Sequence, residues 1–134
     1  MSTIIIDKPK VDIDPSILRQ LKTQTEEMGQ VIIHFLYQAN PFSYSTIRIW
    51  PSTYLYDLAS PHKSELAHVE NITMFPEWKE IPPGGHNYFS LIFTGLPKTC
   101  THFDFIEECD GATNNFEVLK IPRNDQDVYF VKIY

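Results

Sequence analysis

Two short apolar runs lie close together in the second half of the chain, within Tyr88–Glu108, parted by Gly95, Pro97 and Lys98. In the first, Phe89, Leu91 and Phe93 fall on one face of an extended strand; in the second, Phe103 and Phe105 do the same. Side chains that alternate with a period of two belong to strands with one face on a core. The rest of the chain reads as further strands added to this central pair.

From Gln30 onward the remaining segments carry the same signal. Val31–Tyr37 is apolar on both faces, as a central strand would be. Ser45–Trp50 alternates, with Ile47 and Ile49 inward and Arg48 and Trp50 outward, and Pro51 interrupts it. Tyr54–Leu58 continues, Glu65–Glu70 is weaker, and Phe116–Ile121 and Val128–Ile133 flank a turn at residues 122–125, which predicts a hairpin. Turn signals every 8–15 residues between short strands predict a single-domain antiparallel β-sandwich of seven or eight strands. Met74–Asn87 shows no periodicity, and its three prolines and two glycines predict an irregular loop.

Ahead of the sandwich, residues 1–29 form an arm and one helix of the same domain. Thr3–Ile6 is β-like, an edge strand or a loose arm. Asp14 is a good N-cap, Pro15 suits the first helical position, and Ile17, Leu18, Leu21, Thr25 and Met28 recur on one side before Gly29. The helix reads as a plug at one end of the sandwich or as a dimer contact.

The string Phe89-Ser-Leu-Ile-Phe-Thr-Gly-Leu-Pro-Lys98, followed by Phe103-Asp-Phe-Ile-Glu-Glu108, resembles a pattern in uncharacterised immunoglobulin-like β-sandwich proteins of the Bacteroidetes. Ile47-Arg-Ile-Trp-Pro-Ser-Thr53, with Asp57 further on, is similar to their earlier strands. The resemblance spans residues 44–121, leaves the helix outside, and implies an immunoglobulin-like fold without implying an activity.

Composition narrows the function classes. At 134 residues the chain is one domain that can bury about two-thirds of its unfolded surface, so it needs no metal or disulfide to hold together. A net charge of −6, with eleven scattered Lys and Arg, offers no basic stripe for nucleic acid and no attraction to anionic membranes. No run reaches the roughly 20 apolar residues of a membrane span. Ile4–Ile6 is too short for a signal sequence, which points to the cytoplasm. Cys100 and Cys109 flank a strand and would lie roughly 25 Å apart, too far to pair, as suits a reducing compartment. Asn71-Ile72-Thr73 matches a glycosylation sequon by chance.

Motifs for chemistry are missing. No Gly-x-Ser-x-Gly occurs, Gly84-Gly85 lacks the Lys-Ser/Thr of a phosphate loop, and neither cysteine has a catalytic setting. The five histidines, His34, His62, His68, His86 and His102, show no His-x-His or His-x3-His spacing. His102, Asp104 and Glu108 share a strand face on which a metal site is geometrically allowed, but a solvated histidine is the plainer reading, and neither a metal nor a cofactor is expected. No catalytic residue is assigned. Glu107 and Glu108 point to opposite faces of one strand, so they cannot act as an acid–base pair. Glu107 falls on the apolar face with Phe103 and Phe105. A buried carboxylate there calls for a structural ion pair, with Arg48 or Arg123 as partner, or for a tuned acid.

The strongest binding surface is the loop carrying Phe75, Trp78, His86 and Tyr88, beside Trp50, Tyr54 and Tyr56. Aromatic faces with polar tips suit sugars, peptides or a partner protein. The plainer reading is that Trp78 folds back as a lid on the sandwich end. A non-catalytic binding or interaction domain for a protein, small-molecule or carbohydrate ligand therefore ranks first. A structural component assembling as a homodimer comes second, and an enzyme with an unrecognised site third.

Overall fold

The computed structural model describes residues 3–6, 29–109 and 116–134, and they are mainly β, with no helix among them. The ten strands are β1 (Thr3–Ile6), β2 (Gln30–Gln38), β3 (Ser45–Ile47), β4 (Thr53–Asp57), β5 (Lys63–Glu70), β6 (Lys79–Ile81), β7 (His86–Thr94), β8 (His102–Glu107), β9 (Glu117–Pro122) and β10 (Val128–Ile133). Eight of them join in one mixed sheet in the order β1-β10-β2-β7-β5-β4-β8-β9, while β3 and β6 pair as a small separate ribbon. The helix expected over 15–28 and the remainder of the N-terminal arm lie outside the described residues. Thr3–Ile6 is the edge strand beside β10.

The large sheet curls around its own core because β5 serves both halves. Residues 63–65 pair with β4, and residues 66–70 pair with β7 across a register shift between Leu66 and His68. A shift of this kind bends a strand and increases its twist. The halves then meet through aromatic rings, with Phe93 edge-on to Phe105 at 6.0 Å, Phe35 tilted on Phe105 at 5.4 Å, and Phe103 edge-on to Tyr129 at 5.1 Å. The inward alternates Val31, Ile33, Phe35, Leu55, Leu91, Phe93, Phe103, Phe105, Ile121 and Val131 are almost wholly buried. Burial of each large apolar side chain is worth about 1.5–3 kcal/mol, which makes this face the main source of stability.

Three expectations change. The central pair is not a pair: β7 bonds to β2 and β5, whereas β8 bonds to β4 and β9, and the two face each other across the core. Phe116–Ile121 and Val128–Ile133 do not form a hairpin either, because β9 joins β8 while β10 joins β2, and joins it in parallel. The sheet is therefore mixed rather than antiparallel. Finally, the irregular loop 74–87 contains β6. Its prolines, Pro76, Pro82 and Pro83, stand outside Lys79–Ile81, so all three strand residues keep the N–H groups that pair with Ser45–Ile47.

Two polar knots fix the crossings. Arg123 binds Asp127 through two nitrogens, with Nη2 2.8 Å from Oδ2, and donates to the carbonyls of Pro97 and Cys100 at 2.6 and 3.3 Å. Asp57, at the end of β4, accepts from Ser60 Oγ at 2.5 Å and Ala59 N at 2.9 Å. The Ser60 hydroxyl foremost, against the opposing effect of burial, holds the Asp57 carboxyl below its ordinary pKa. Cys100 is buried, its thiol pushed up to about 11 by burial and then by Asp57.

Gly95 is where the backbone of the β7 terminus touches that of Gly29, and a Cβ there would sit 1.8 Å from the Gly29 carbonyl oxygen. Gly95→Ala must therefore part the β2 and β7 ends, with an expected loss of more than about 3 kcal/mol read as a lower urea midpoint. An unchanged midpoint would rule out the contact. For Asp57 the depressed native pKa means that its contribution is present above the unfolded value of about 3.9 and fades as pH falls through the native one. Asp57→Asn should thus flatten the acid limb of stability against pH between about pH 5 and 2; parallel limbs would show that Asp57 does not set it.

Candidate functional site

After β3 the chain keeps its alternation for three more residues, which decides the site. Ile47 and Ile49 turn into the core, and Arg48 and Trp50 turn to the rim. Ile49 N donates to Thr73 O at 2.9 Å and Phe75 N donates back to Ile49 O at 2.8 Å. This docking carries Phe75 to Trp50, whose rings stack 3.9 Å apart at 25°. Arg48 completes the group. Its guanidinium lies 3.6 Å from the centre of the Trp78 ring and 4.7 Å from that of Phe75, and Nη1 donates to Pro76 O at 3.0 Å. Cation–aromatic contacts of this kind are worth about 0.5–2 kcal/mol each, enough to hold the arginine against the rings.

Below the rim is a cavity of about 370 Å³. Its walls are apolar, from Tyr37, Ile47, Ile49, Ile72, Phe89, Phe116 and Ile133; Arg48, Trp50, Trp78, Glu107 and Cys109 add polar and aromatic groups. β8 delivers Glu107 to it. The alternation that buries Phe103 and Phe105 also turns Glu107 inward, leaving it 8% exposed. One carboxylate oxygen accepts from Trp50 N at 3.1 Å. Burial raises the Glu107 pKa, opposed by the Trp50 N–H, the Cys109 thiol, the Phe116 N–H and, through space, the charge of Arg48.

The expected ion pair takes a different form. Among the described residues no contact ion pair joins Glu107 to an arginine: Arg123 is taken by Asp127, and Arg48 is held by Pro76 and Trp78. Arg48 Nε is buried with no hydrogen-bond partner. Glu108, on the opposite face, accepts from the Tyr56 hydroxyl.

Of the seven aromatic and histidine residues expected to form one surface, the structure brings Trp50, Phe75 and Trp78 together and leaves the other four apart. Tyr54 stands on β4 with Tyr56, under Lys63 Nζ at 4.0 Å from its ring centre. His86 and Tyr88 pack edge-on at 5.6 Å on β7 and do not line the cavity. Trp78 remains 55% exposed, a partial lid at most. Ile72, Cys109 and Phe116 line the cavity without having been singled out; only the placement of Phe116 in an apolar strand hinted at it.

Among the described residues no three His, Cys, Asp or Glu side chains gather as a metal site, and no helix is long and apolar enough to cross a membrane. His34, in β2, shares a hydrogen bond of 2.6 Å with Ser90 Oγ, and burial lowers its pKa. No family model matches the chain, and neither a curated protein nor a solved structure matches it.

Glu107, with its raised native pKa, favours the folded state fully below the unfolded value of about 4.3 and loses that contribution as pH rises through the native value. Relative to Glu107→Gln, wild-type urea midpoints should therefore fall as pH is raised from about 4 to 7. Two curves that stay parallel would show that the carboxyl is solvated like any other.

Proposed function

We propose that this chain is a non-catalytic binding domain of immunoglobulin-like β-sandwich type, and that its binding site is the cavity under Trp50 and Trp78. The observation that carries the reading is an apolar cavity of about 370 Å³ with a few polar groups converging on it, the ordinary make-up of a small-ligand site. The resemblance over residues 44–121 supports the immunoglobulin-like assignment, and the facing sheet halves agree with it. A protein, small-molecule or carbohydrate ligand remains within the proposal, as does a cytoplasmic location suited to two cysteines without a disulfide. The polar groups serve as anchors in this reading: the Glu107 carboxyl is taken up by the Trp50 N–H and the Cys109 thiol. Assembly as a homodimer is the second reading, favoured by the edge position of Thr3–Ile6, since an edge strand offers unpaired backbone to a second copy.

Both tryptophans of the chain line the cavity, so its occupation can be read in their emission. An anilinonaphthalene sulfonate dye should bind saturably and take energy from them. Ile72→Trp, which fills the cavity, should weaken the dye about tenfold, or 1.4 kcal/mol, at an unchanged urea midpoint. Equal binding to both proteins, or none to either, would refute the site.

A further inference from the structure

The cavity holds two opposite charges that do not neutralise each other by contact. Arg48 is anchored outward by the Pro76 carbonyl and the Trp78 ring, and Glu107 is anchored inward by the Trp50 N–H. Opposite charges beside one cavity and free to move would be drawn towards one another. These are fixed in position, and both side chains line the cavity. Resting on the binding reading above, we infer that the ligand is a free α-amino acid with an apolar side chain. Its side chain fills the space between Ile47, Ile72 and Phe116, its ammonium group meets Glu107, and its carboxylate meets the guanidinium group of Arg48.

The chemistry matches on three counts. An α-amino acid carries its two polar groups on neighbouring carbons, and so presents a donor and an acceptor to one side of an apolar body. A sugar would present hydroxyls all round and meet mostly Ile and Phe, where each unpaired hydroxyl is penalised. A plain hydrocarbon would fill the cavity and leave both charges covered without a partner. Because each ionic group of the protein is held in place beforehand, little ordering remains to be done on binding.

The test is calorimetry and tryptophan emission with L-phenylalanine and L-leucine, set against N-acetyl-L-phenylalanine, L-phenylalaninamide, glucose and indole. The free amino acids should bind at least about tenfold more tightly than either blocked form and than indole or glucose. In Glu107→Gln the penalty for acetylation should vanish, and in Arg48→Gln the penalty for amidation, each variant keeping the other discrimination. Leu-Gly-Gly and Gly-Gly-Leu, each lacking one of the two ionic groups at leucine, should bind as weakly as the blocked forms; either one matching leucine would overturn the assignment to a free amino acid. If the dye binds in the cavity but indole or glucose equals or exceeds phenylalanine, the ligand class is wrong and the binding site stands. If neither dye nor amino acid binds, both readings fail together.

Discussion

The facing phenylalanines are the contact on which everything else in this fold depends. Phe35 stacks on Phe89 within its own sheet half, at 4.8 Å and 8°, and meets Phe105 and Phe116 coming from the other half. Phe105 in turn touches Phe93 and Phe116. Such ring pairs contribute about 0.5–1.5 kcal/mol each beyond the area they bury, and they do so only when both halves of the sheet are in place. The bend in β5 makes that meeting possible. Without the change of partner between Glu65 and Leu66, and the register shift that follows it, the sheet would lie open with its apolar face in water.

The cavity begins where this aromatic packing ends. Phe116 belongs to both: one side of it touches Phe35 and Phe105, and another forms cavity wall. Glu107 follows Phe105 by two residues on the same face, so the strand that builds the core also delivers a carboxyl to its rim. The backbone N–H of Trp50 receives it there. Core and site thus share one alternation, and a slip of register by one residue would move Phe103, Phe105 and Glu107 outward together.

The strands were legible in the sequence because burial on one face writes itself as a period of two. Phe89-Leu91-Phe93 and Phe103-Phe105 needed nothing more, and the inward turn of Glu107 followed from the same count. Which strand bonds to which was not legible. Phe89–Phe93 and Phe103–Phe105 look like neighbours because they are close in sequence, yet the link through Gly95 and Pro97 carries the chain across the core instead of turning it back in the sheet. The ribbon of β3 and β6 was hidden because the prolines around Lys79–Ile81 dominate the local signal. Half of the site was visible as aromatic residues in 75–78 and at Trp50. The nearness of Arg48 to Glu107 was expected from the need of a buried carboxylate for a partner; the rest came from folding alone, since nothing in the spacing of Ile72 and Phe116 says that they border the same space.

The parallel bond between β2 and β10 has a kinetic consequence. Val128 lies opposite Ile32, and nearly all of the described chain stands between them. No local turn can bring these strands together, so the entropy of closing that long loop is lost before the sheet returns any of it. A topology ruled by such distant partners belongs to the slower folders, in the range of milliseconds to seconds. While it waits, β2 would have one flank bare, and its Val31-Ile32-Ile33 run is the segment in greatest need of a chaperone's cover.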